Sequence, residues 1–112
     1  MSTPAVAPSA TPILCHGNDI GYKAFARRLT PTADIAVLIL IANCYFDNSG
    51  YTISIQSTAN GFELLEQPPS GIFHDLVSYC MATWTSPGLI DVPAHVMITD
   101  AFGTHKVHVE NW

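Results

Sequence analysis

The histidines are the residues of this sequence with the widest chemical range, and two of them are predicted to meet. The register expected for a hairpin near the C-terminus places His95 directly opposite His108, on the face away from the core. Their Cβ atoms would lie roughly 5 Å apart, close enough for two imidazoles to share a metal ion. Zinc needs a third or fourth ligand, and neither Met97 nor Lys106 supplies a good one. The sequence therefore predicts no metal site and no cofactor.

Two other pairs resemble catalytic pairs because their members are adjacent in the chain: Cys15-His16 and His74-Asp75. Neighbouring side chains diverge on a helix or a strand, so a hydrogen bond between nucleophile and base is not expected within either pair. Cys15 with a histidine from elsewhere in the chain stays open as an alternative, although no motif supports it. No catalytic residue is predicted.

The cysteines also indicate the cellular compartment of the protein. Cys15, Cys44 and Cys80 are an odd number at wide spacing, without the dense framework of a small secreted protein. Cys44 and Cys80 fall on apolar stripes and are expected to pack as small hydrophobic residues. Residues 1–12 lack the charged start and apolar core of a signal peptide, and Ile35–Ala42 is too short to span a bilayer. These features predict a soluble protein of the reducing cytoplasm, with no membrane partner.

Composition excludes two broad classes of protein. Hydrophobic residues make up 48% of the 112 residues and charged residues 12%, which is enough apolar surface for one core and argues against disorder. The net charge of −5 argues against binding to a nucleic acid backbone. The glycines are scattered singly, so no phosphate-binding loop is present. The sequence favours a non-catalytic protein and leaves an enzyme as the alternative.

Two helices are predicted to position these residues. The first has an N-cap at Asn18 or Asp19 and ends before Pro31, and the second covers residues 72–84. A strand stays open as the alternative for the second segment because of its β-branched and aromatic content. Their apolar stripes follow helical spacing. The stripe residues are Tyr22, Phe25, Ala26 and Leu29 in the first helix and Phe73, Leu76, Val77, Cys80, Met81 and Trp84 in the second.

Five strands complete the predicted domain over residues 13–112, after a flexible tail over residues 1–12. The first three would form a meander, with Phe46 opposite Tyr51 and a tight turn at Asn60-Gly61. The last two would form a hairpin with Thr99 opposite Thr104. The predicted strands are Ile35–Phe46, Tyr51–Ser57, Phe62–Glu66, Val92–Thr99 and Thr104–Glu110.

The predicted fold class is therefore α+β, with two helices on a mainly antiparallel five-stranded sheet in the order αβββαββ. The alternative is an immunoglobulin-like β-sandwich. The final hairpin is similar to the last strands of bacterial immunoglobulin-like sandwiches, but its pattern is generic and assigns no family. Neither fold determines a function.

The strand Ile35–Phe46 is unusual because both of its faces are apolar. Its second face would carry Val37, Ile39, Ile41 and Tyr45. A strand that is apolar on both sides is normally covered on both, by a helix, a ligand or another subunit. These four residues, with Trp84, are the predicted ligand-binding or interface residues. A homodimer is the preferred solution, since one self-complementary patch burying roughly 800 Å² per subunit is sufficient.

Three of the four basic residues are close together in an otherwise acidic chain. Lys23, Arg27 and Arg28 fall in the first predicted helix, and Lys23 and Arg27 are neighbours at i, i+4. They form a candidate patch for an anion or an acidic partner. The alternative is a solvated helix face near a helix C-terminus.

Two function hypotheses follow. The first is a small non-catalytic binding or interaction module that acts as a homo-oligomer. The second is a small enzyme or a protein with a small-molecule ligand, in a cleft between helix and sheet. Aromatic residues with a polar tip would line that cleft, namely Tyr22, Tyr45, Tyr79 or Trp84.

Overall fold

The computed structural model describes residues 11–28, 30, 34–69, 75–88 and 91–111, and all of its regular elements are strands. The described residues contain no helix, so the predicted α+β class is wrong and the fold is all-β. None of the described segments is a helix able to cross a membrane. The strands are β1 (Ile13–Leu14), β2 (Asn18–Arg28), β3 (Ala36–Phe46), β4 (Thr52–Thr58), β5 (Gly61–Gln67), β6 (Ser78–Thr85), β7 (His95–Asp100) and β8 (Gly103–Asn111).

The strands form one mixed sheet that curls into a half-barrel. Their order is β1-β5-β7-β8-β2-β3-β6, with β4 paired to β5. The pairs β2/β8 and β5/β7 are parallel and the others are antiparallel. The curl brings β6 close to β4 and β5, since Cys80 Sγ lies 3.3 Å from the carbonyl oxygen of Tyr51 and the rings of Phe62 and Trp84 are 4.7 Å apart. This curled mixed sheet also differs from the immunoglobulin-like sandwich named as the alternative.

The core fills the concave side of the half-barrel. Every second residue of β3 points into it, as expected for the two-residue repeat of a strand. Leu40, Leu64 and Ile98 are the largest apolar side chains with no exposed surface, and they come from β3, β5 and β7. The core therefore joins strands that are far apart in sequence.

The first predicted helix is the strand β2. Ala24 and Ala26 are buried on its inner face, whereas Lys23 and Arg27 are exposed on the outer one. The helical stripe depended on Phe25 and Ala26 sharing a face, but consecutive residues of a strand point to opposite sides. Pairing with β3 on one edge and β8 on the other outweighs the local helical spacing. Leu29, the last residue of that stripe, lies outside the described residues.

The second predicted helix is wrong over its described part, where β6 runs from Ser78 to Thr85. Ala82 and Trp84 face the core, while Met81 lies on the outside. The β-branched and aromatic residues of this segment favour a strand over a helix, and pairing with β3 stabilises the strand further. The N-terminal end of the predicted helix, through residue 74, lies outside the described residues.

The predicted meander is partly wrong. β3 does not pair with β4, because its two edges are occupied by β2 and β6. β4 and β5 do form a hairpin, but Thr58 is opposite Gly61, so the turn is at Ala59-Asn60. Gly61 has a φ of +151°, and a Cβ there would lie 2.5 Å from the carbonyl oxygen of Met97 on β7. The close approach of β7 therefore requires glycine at this position.

The register of the final hairpin is confirmed. Thr99 pairs with Thr104, with their hydroxyl oxygens 2.8 Å apart, and His95 pairs with His108. β7 begins at His95, three residues later than predicted, and β8 extends to Asn111. Residues 1–10 of the predicted tail lie outside the described residues.

Candidate functional site

The outer side of the β2–β3–β6 part of the sheet carries an apolar surface. Val37, Ile39, Ile41 and Tyr45 alternate along β3 with the core residues, so all four point away from the core. β6 adds two outward side chains, since Tyr79 is opposite Tyr45 and Met81 is opposite Asn43. We call the six apolar and aromatic side chains the outer-face patch: Val37, Ile39, Ile41, Tyr45, Tyr79 and Met81.

The end of the outer-face patch formed by β6 is the most open to solvent. Tyr45, Tyr79 and Met81 are 40%, 55% and 58% exposed, and the two tyrosine rings are 5.3 Å apart. Val37, Ile39 and Ile41 are half-buried by their neighbours. No other described strand lies over this side of the sheet. The structure thus brings together four of the five predicted interface residues.

Trp84, the fifth predicted interface residue, lies on the opposite side of the sheet. It is directly across from the buried Leu40 and packs with its ring edge against Phe62. The aromatic residues proposed for a shared cleft are divided in the same way. Tyr22 and Trp84 face inward, whereas Tyr45 and Tyr79 face outward.

The predicted basic patch is divided between two sides of β2. Lys23 and Arg27 are exposed on the outer side, opposite Ile41 and Val37 of the outer-face patch. Arg28, at the end of the strand, contributes instead to a surface cavity of about 320 Å³ that Asp34 and Asp91 also line. Because β2 is not a helix, the expected i, i+4 contact has no structural basis.

His95 and His108 face each other as the sequence predicted, with ring centroids 5.4 Å apart. Both side chains are exposed. Within the described part of the chain, no group of three or more histidine, cysteine or acidic side chains is arranged to hold a metal ion. The absence of bound metal stays a prediction that elemental analysis of the purified protein tests.

A polar cluster that the sequence did not reveal is built around the buried carboxylate of Asp100, which is 2% exposed. The hydroxyl of Tyr22 donates to Asp100 Oδ2 at 2.6 Å, and the backbone NH of Phe102 donates to Oδ1 at 2.8 Å. His105 Nε2 lies 3.0 Å from Oδ2. We call Tyr22, Asp100 and His105, with the NH of Phe102, the Asp100 cluster.

Hydrogen bonding determines the protonation of this cluster. Burial alone would raise the pKa of Asp100, but the hydrogen bonds from Tyr22 and from the NH of Phe102, with the proximity of the His105 imidazole, outweigh it and lower that pKa. Burial and the neighbouring carboxylate raise the pKa of Tyr22, so its hydroxyl stays protonated. The carboxylate therefore holds two side chains and a turn in place and is a poor general base.

The Asp100 cluster lies beneath an open cavity of about 290 Å³. The rim includes Asp19, which has a φ of +52° within a β-bulge between Asn18 and Gly21. An aspartate tolerates this left-handed conformation better than most residues. Phe102, also on the rim, is exposed. Tyr22, Asp100 and His105 also line the cavity, but Tyr22 and His105 are both directed at Asp100. Beyond the Asp100 cluster, the cavity presents the carboxylate of Asp19 and the ring of Phe102.

A second buried carboxylate secures the connection between β1 and β2. Glu66 Oε1 accepts a hydrogen bond from the backbone NH of His16 at 2.6 Å and lies 2.7 Å from His16 Nδ1. Glu66 is 1% exposed. The partner of the His16 side chain is thus Glu66, whereas Cys15 Sγ lies beside Cys44 Sγ. The pair Cys15-His16 therefore has no catalytic geometry.

The three cysteines lie in or beside the core. Cys15 and Cys44 have no exposed surface, and Cys80 is half-buried. Burial raises the pKa of all three thiols, and the proximity of Cys15 raises that of Cys44 further. A buried thiol that stays protonated is a poor nucleophile. This geometry does not support the alternative of Cys15 as a catalytic nucleophile.

The sequence contained part of the signal for the Asp100 cluster. The predicted hairpin register already placed Ile98 opposite His105 on the core face, and Asp100 shares that face by alternation. Tyr22 could not be added to the cluster because β2 was interpreted as a helix.

Comparisons with known proteins add no functional information. The chain matches no protein-family model, no curated protein sequence and no solved structure.

Proposed function

We propose that this chain is a small non-catalytic interaction module of the cytoplasm that acts as a homodimer through its outer-face patch. The observation that carries the proposal is the exposure of Tyr45, Tyr79 and Met81 beside the apolar outer side of β3. Exposed apolar patches of this kind mark interaction surfaces on soluble proteins. Single exposed hydrophobic residues are common, but these side chains are contiguous across two paired strands.

A second copy of the chain fits this surface better than a charged partner does. None of the six side chains of the outer-face patch carries a formal charge, and Lys23 and Arg27, which border the patch on β2, can stay hydrated at the edge of an interface. A two-fold axis would place the same patch on both subunits, which is the commonest arrangement of soluble oligomers. Burial of roughly 800 Å² per subunit is sufficient for a specific interface.

The chemistry of the interior supports a non-catalytic role. The Asp100 carboxylate already accepts hydrogen bonds, and the thiols of Cys15 and Cys44 are buried and protonated. A catalytic base or nucleophile needs a free lone pair directed at a substrate. The predicted aromatic cleft lacks support, because its four residues are divided between two faces of the sheet.

Sedimentation equilibrium at micromolar concentrations tests the proposal. We expect a mass of twice the chain mass of 12.1 kDa. Met81→Lys and Ile41→Asp should each shift the protein toward the monomer, because both bury an unpaired charge in the interface. Met81→Lys should disturb the fold of the single chain less than Ile41→Asp does, because Met81 is exposed and its replacement leaves the core intact.

The matched control is Gln56→Lys, which places the same charge at an exposed position of β4. This variant should retain the mass of the dimer. A wild-type mass of 12.1 kDa at every concentration would contradict the proposal. A dimer that Met81→Lys and Ile41→Asp leave intact would place the interface elsewhere and contradict it as well.

A further inference from the structure

All three cysteines of the chain come from separate segments and approach one another at the core. Cys15 lies in the connection between β1 and β2, Cys44 is on β3, and Cys80 is on β6 directly opposite Cys44. Cys15 Sγ and Cys44 Sγ are 3.8 Å apart. These thiols have no part in the proposed dimer surface, which lies on the other side of β3.

We propose that Cys15 and Cys44 form an intramolecular disulfide when the chain meets an oxidising thiol–disulfide environment. The two sulfur atoms must approach from 3.8 Å to the bond length of about 2.05 Å. The bond would join the connection between β1 and β2 covalently to β3. In the reducing cytoplasm the pair stays as two thiols.

Local backbone contacts hold the two thiols at this distance. The backbone NH of Cys15 donates to the carbonyl oxygen of Leu64, and its own carbonyl accepts from the NH of Ala101. A Cβ at Gly17 would lie 2.7 Å from Cys44 Sγ, so glycine lets the connection rest directly on that sulfur. The backbone NH and the carbonyl group of Cys15 are thus both held by hydrogen bonds, while its side chain contacts Cys44.

The favoured partner of Cys44 is Cys15 rather than Cys80. Cross-strand neighbours such as Cys44 and Cys80 have Cα atoms within the range that a disulfide accepts. However, Cys80 Sγ is directed at the carbonyl oxygen of Tyr51, 3.3 Å away on the approach to β4. The only pair of sulfur atoms in contact among the described residues is that of Cys15 and Cys44.

Oxidised glutathione can act as the oxidant, through two successive thiol–disulfide exchanges. The thiolate of one cysteine attacks a sulfur of the glutathione disulfide, whose S–S bond breaks, and one glutathione thiolate leaves and takes up a proton. The second cysteine, as its thiolate, attacks the protein sulfur of the mixed disulfide and releases the second glutathione. Two electrons pass from the protein pair to the reagent, which is reduced to two thiols. Because both native thiols are buried, this exchange takes place during refolding.

The test is to refold the full chain from urea in a mixture of oxidised and reduced glutathione, alkylate the remaining thiols and measure the mass. We expect the loss of two hydrogen atoms and one alkylated cysteine. Cleavage after Lys23, Arg28 and Glu63 separates the three cysteines. Cys15 and Cys44 should then appear in one cross-linked product, joining segments 1–23 and 29–63, with Cys80 alkylated.

Cys80→Ala is the matched control and should give the same cross-linked product. Cys44→Ala should give none. The bond joins two cysteines that are 29 positions apart in the chain, so the oxidised wild type should melt about 10 °C above its reduced form. A Cys44–Cys80 product, or three alkylated cysteines after refolding, would overturn the proposal. The mass measurement needs only the wild-type chain, so it is decisive even if a variant fails to fold.

Discussion

The outer-face patch and the Asp100 cluster lie on opposite sides of the same curled sheet. They differ in both polarity and burial. The outer-face patch exposes Tyr45, Tyr79 and Met81 to solvent and carries no formal charge. The Asp100 cluster buries a carboxylate and surrounds it with donors from β2 and from the β7–β8 turn. An apolar surface can accept many partners, whereas a carboxylate that is only 2% exposed is closed to them. In the function proposed above, the outer side mediates association, and the Asp100 cluster on the inner side stabilises the fold.

The difference predicts that mutations in the two regions separate into two kinds of effect. Loss of a group in the Asp100 cluster leaves buried donors unpaired and lowers the free energy of unfolding. Loss of a group in the outer-face patch changes association and leaves the single chain nearly as stable. A mutation in one region that produced the effect expected of the other would break this division.

The largest effect is expected for Asp100→Ala. It removes the acceptor for the Tyr22 hydroxyl and for the NH of Phe102 and leaves both without their partner. We expect the free energy of unfolding to fall by about 3 kcal/mol, measured by urea denaturation.

Asp47→Ala is the control for that substitution. Asp47 is exposed and accepts one hydrogen bond of 3.3 Å from Asn18. We expect this change to cost less than about 0.5 kcal/mol, since exposed pairs contribute little. Equal costs at Asp100 and Asp47 would show that the Asp100 cluster does not stabilise the fold.

The same two regions show how far the sequence could predict this molecule. Alternation along β3 was enough to place Val37, Ile39 and Ile41 together, because every residue involved is on one strand. The hairpin of β7 and β8 was predictable for a related reason, since its turn is local and both strands must present one apolar face.

The prediction from sequence was wrong for β2, whose partner strands include one that is distant in the sequence. β2 pairs with β3 on one edge and with β8 on the other, and β8 lies more than eighty residues later in the chain. The residues of β2 alone do not indicate either pairing. The spacing of Tyr22, Phe25 and Ala26 satisfied a helix equally well, so local sequence alone selected the wrong element. With β2 interpreted as a helix, Tyr22 could not be placed beside Asp100, and the cluster stayed hidden.

A smaller effect is expected from removing the hydroxyl of a tyrosine in each region. Tyr22→Phe deletes the donor to Asp100, and we expect a loss of about 1 kcal/mol in the free energy of unfolding. Tyr45→Phe makes the same chemical change in the outer-face patch, where the ring packs against Tyr79. Its expected cost is close to zero. Thermal denaturation of both variants at low concentration checks the contrast, which equal costs would contradict.

The smallest effect is expected from pH, because burial and hydrogen bonding act on Asp100 in opposite directions. Their balance lowers the pKa of Asp100 in the folded chain below the value of about 3.9 that it has when unfolded. Ionised Asp100 therefore contributes stability above about pH 4, and this contribution is lost as the pH falls through the lower folded pKa.

Urea denaturation between pH 2 and pH 7, on the wild type and on Asp100→Asn, isolates that contribution. The other carboxyl groups are common to both proteins, so the difference between the two curves reports on Asp100. We expect the difference to be constant above about pH 5 and to shrink below about pH 4. The outer-face patch contains neither a carboxyl nor an imidazole group, so Tyr45→Phe should follow the wild-type curve throughout. If the difference between wild type and Asp100→Asn instead widened in acid, the pKa of Asp100 would be raised in the folded chain, and its hydrogen bonds would be weaker than its burial.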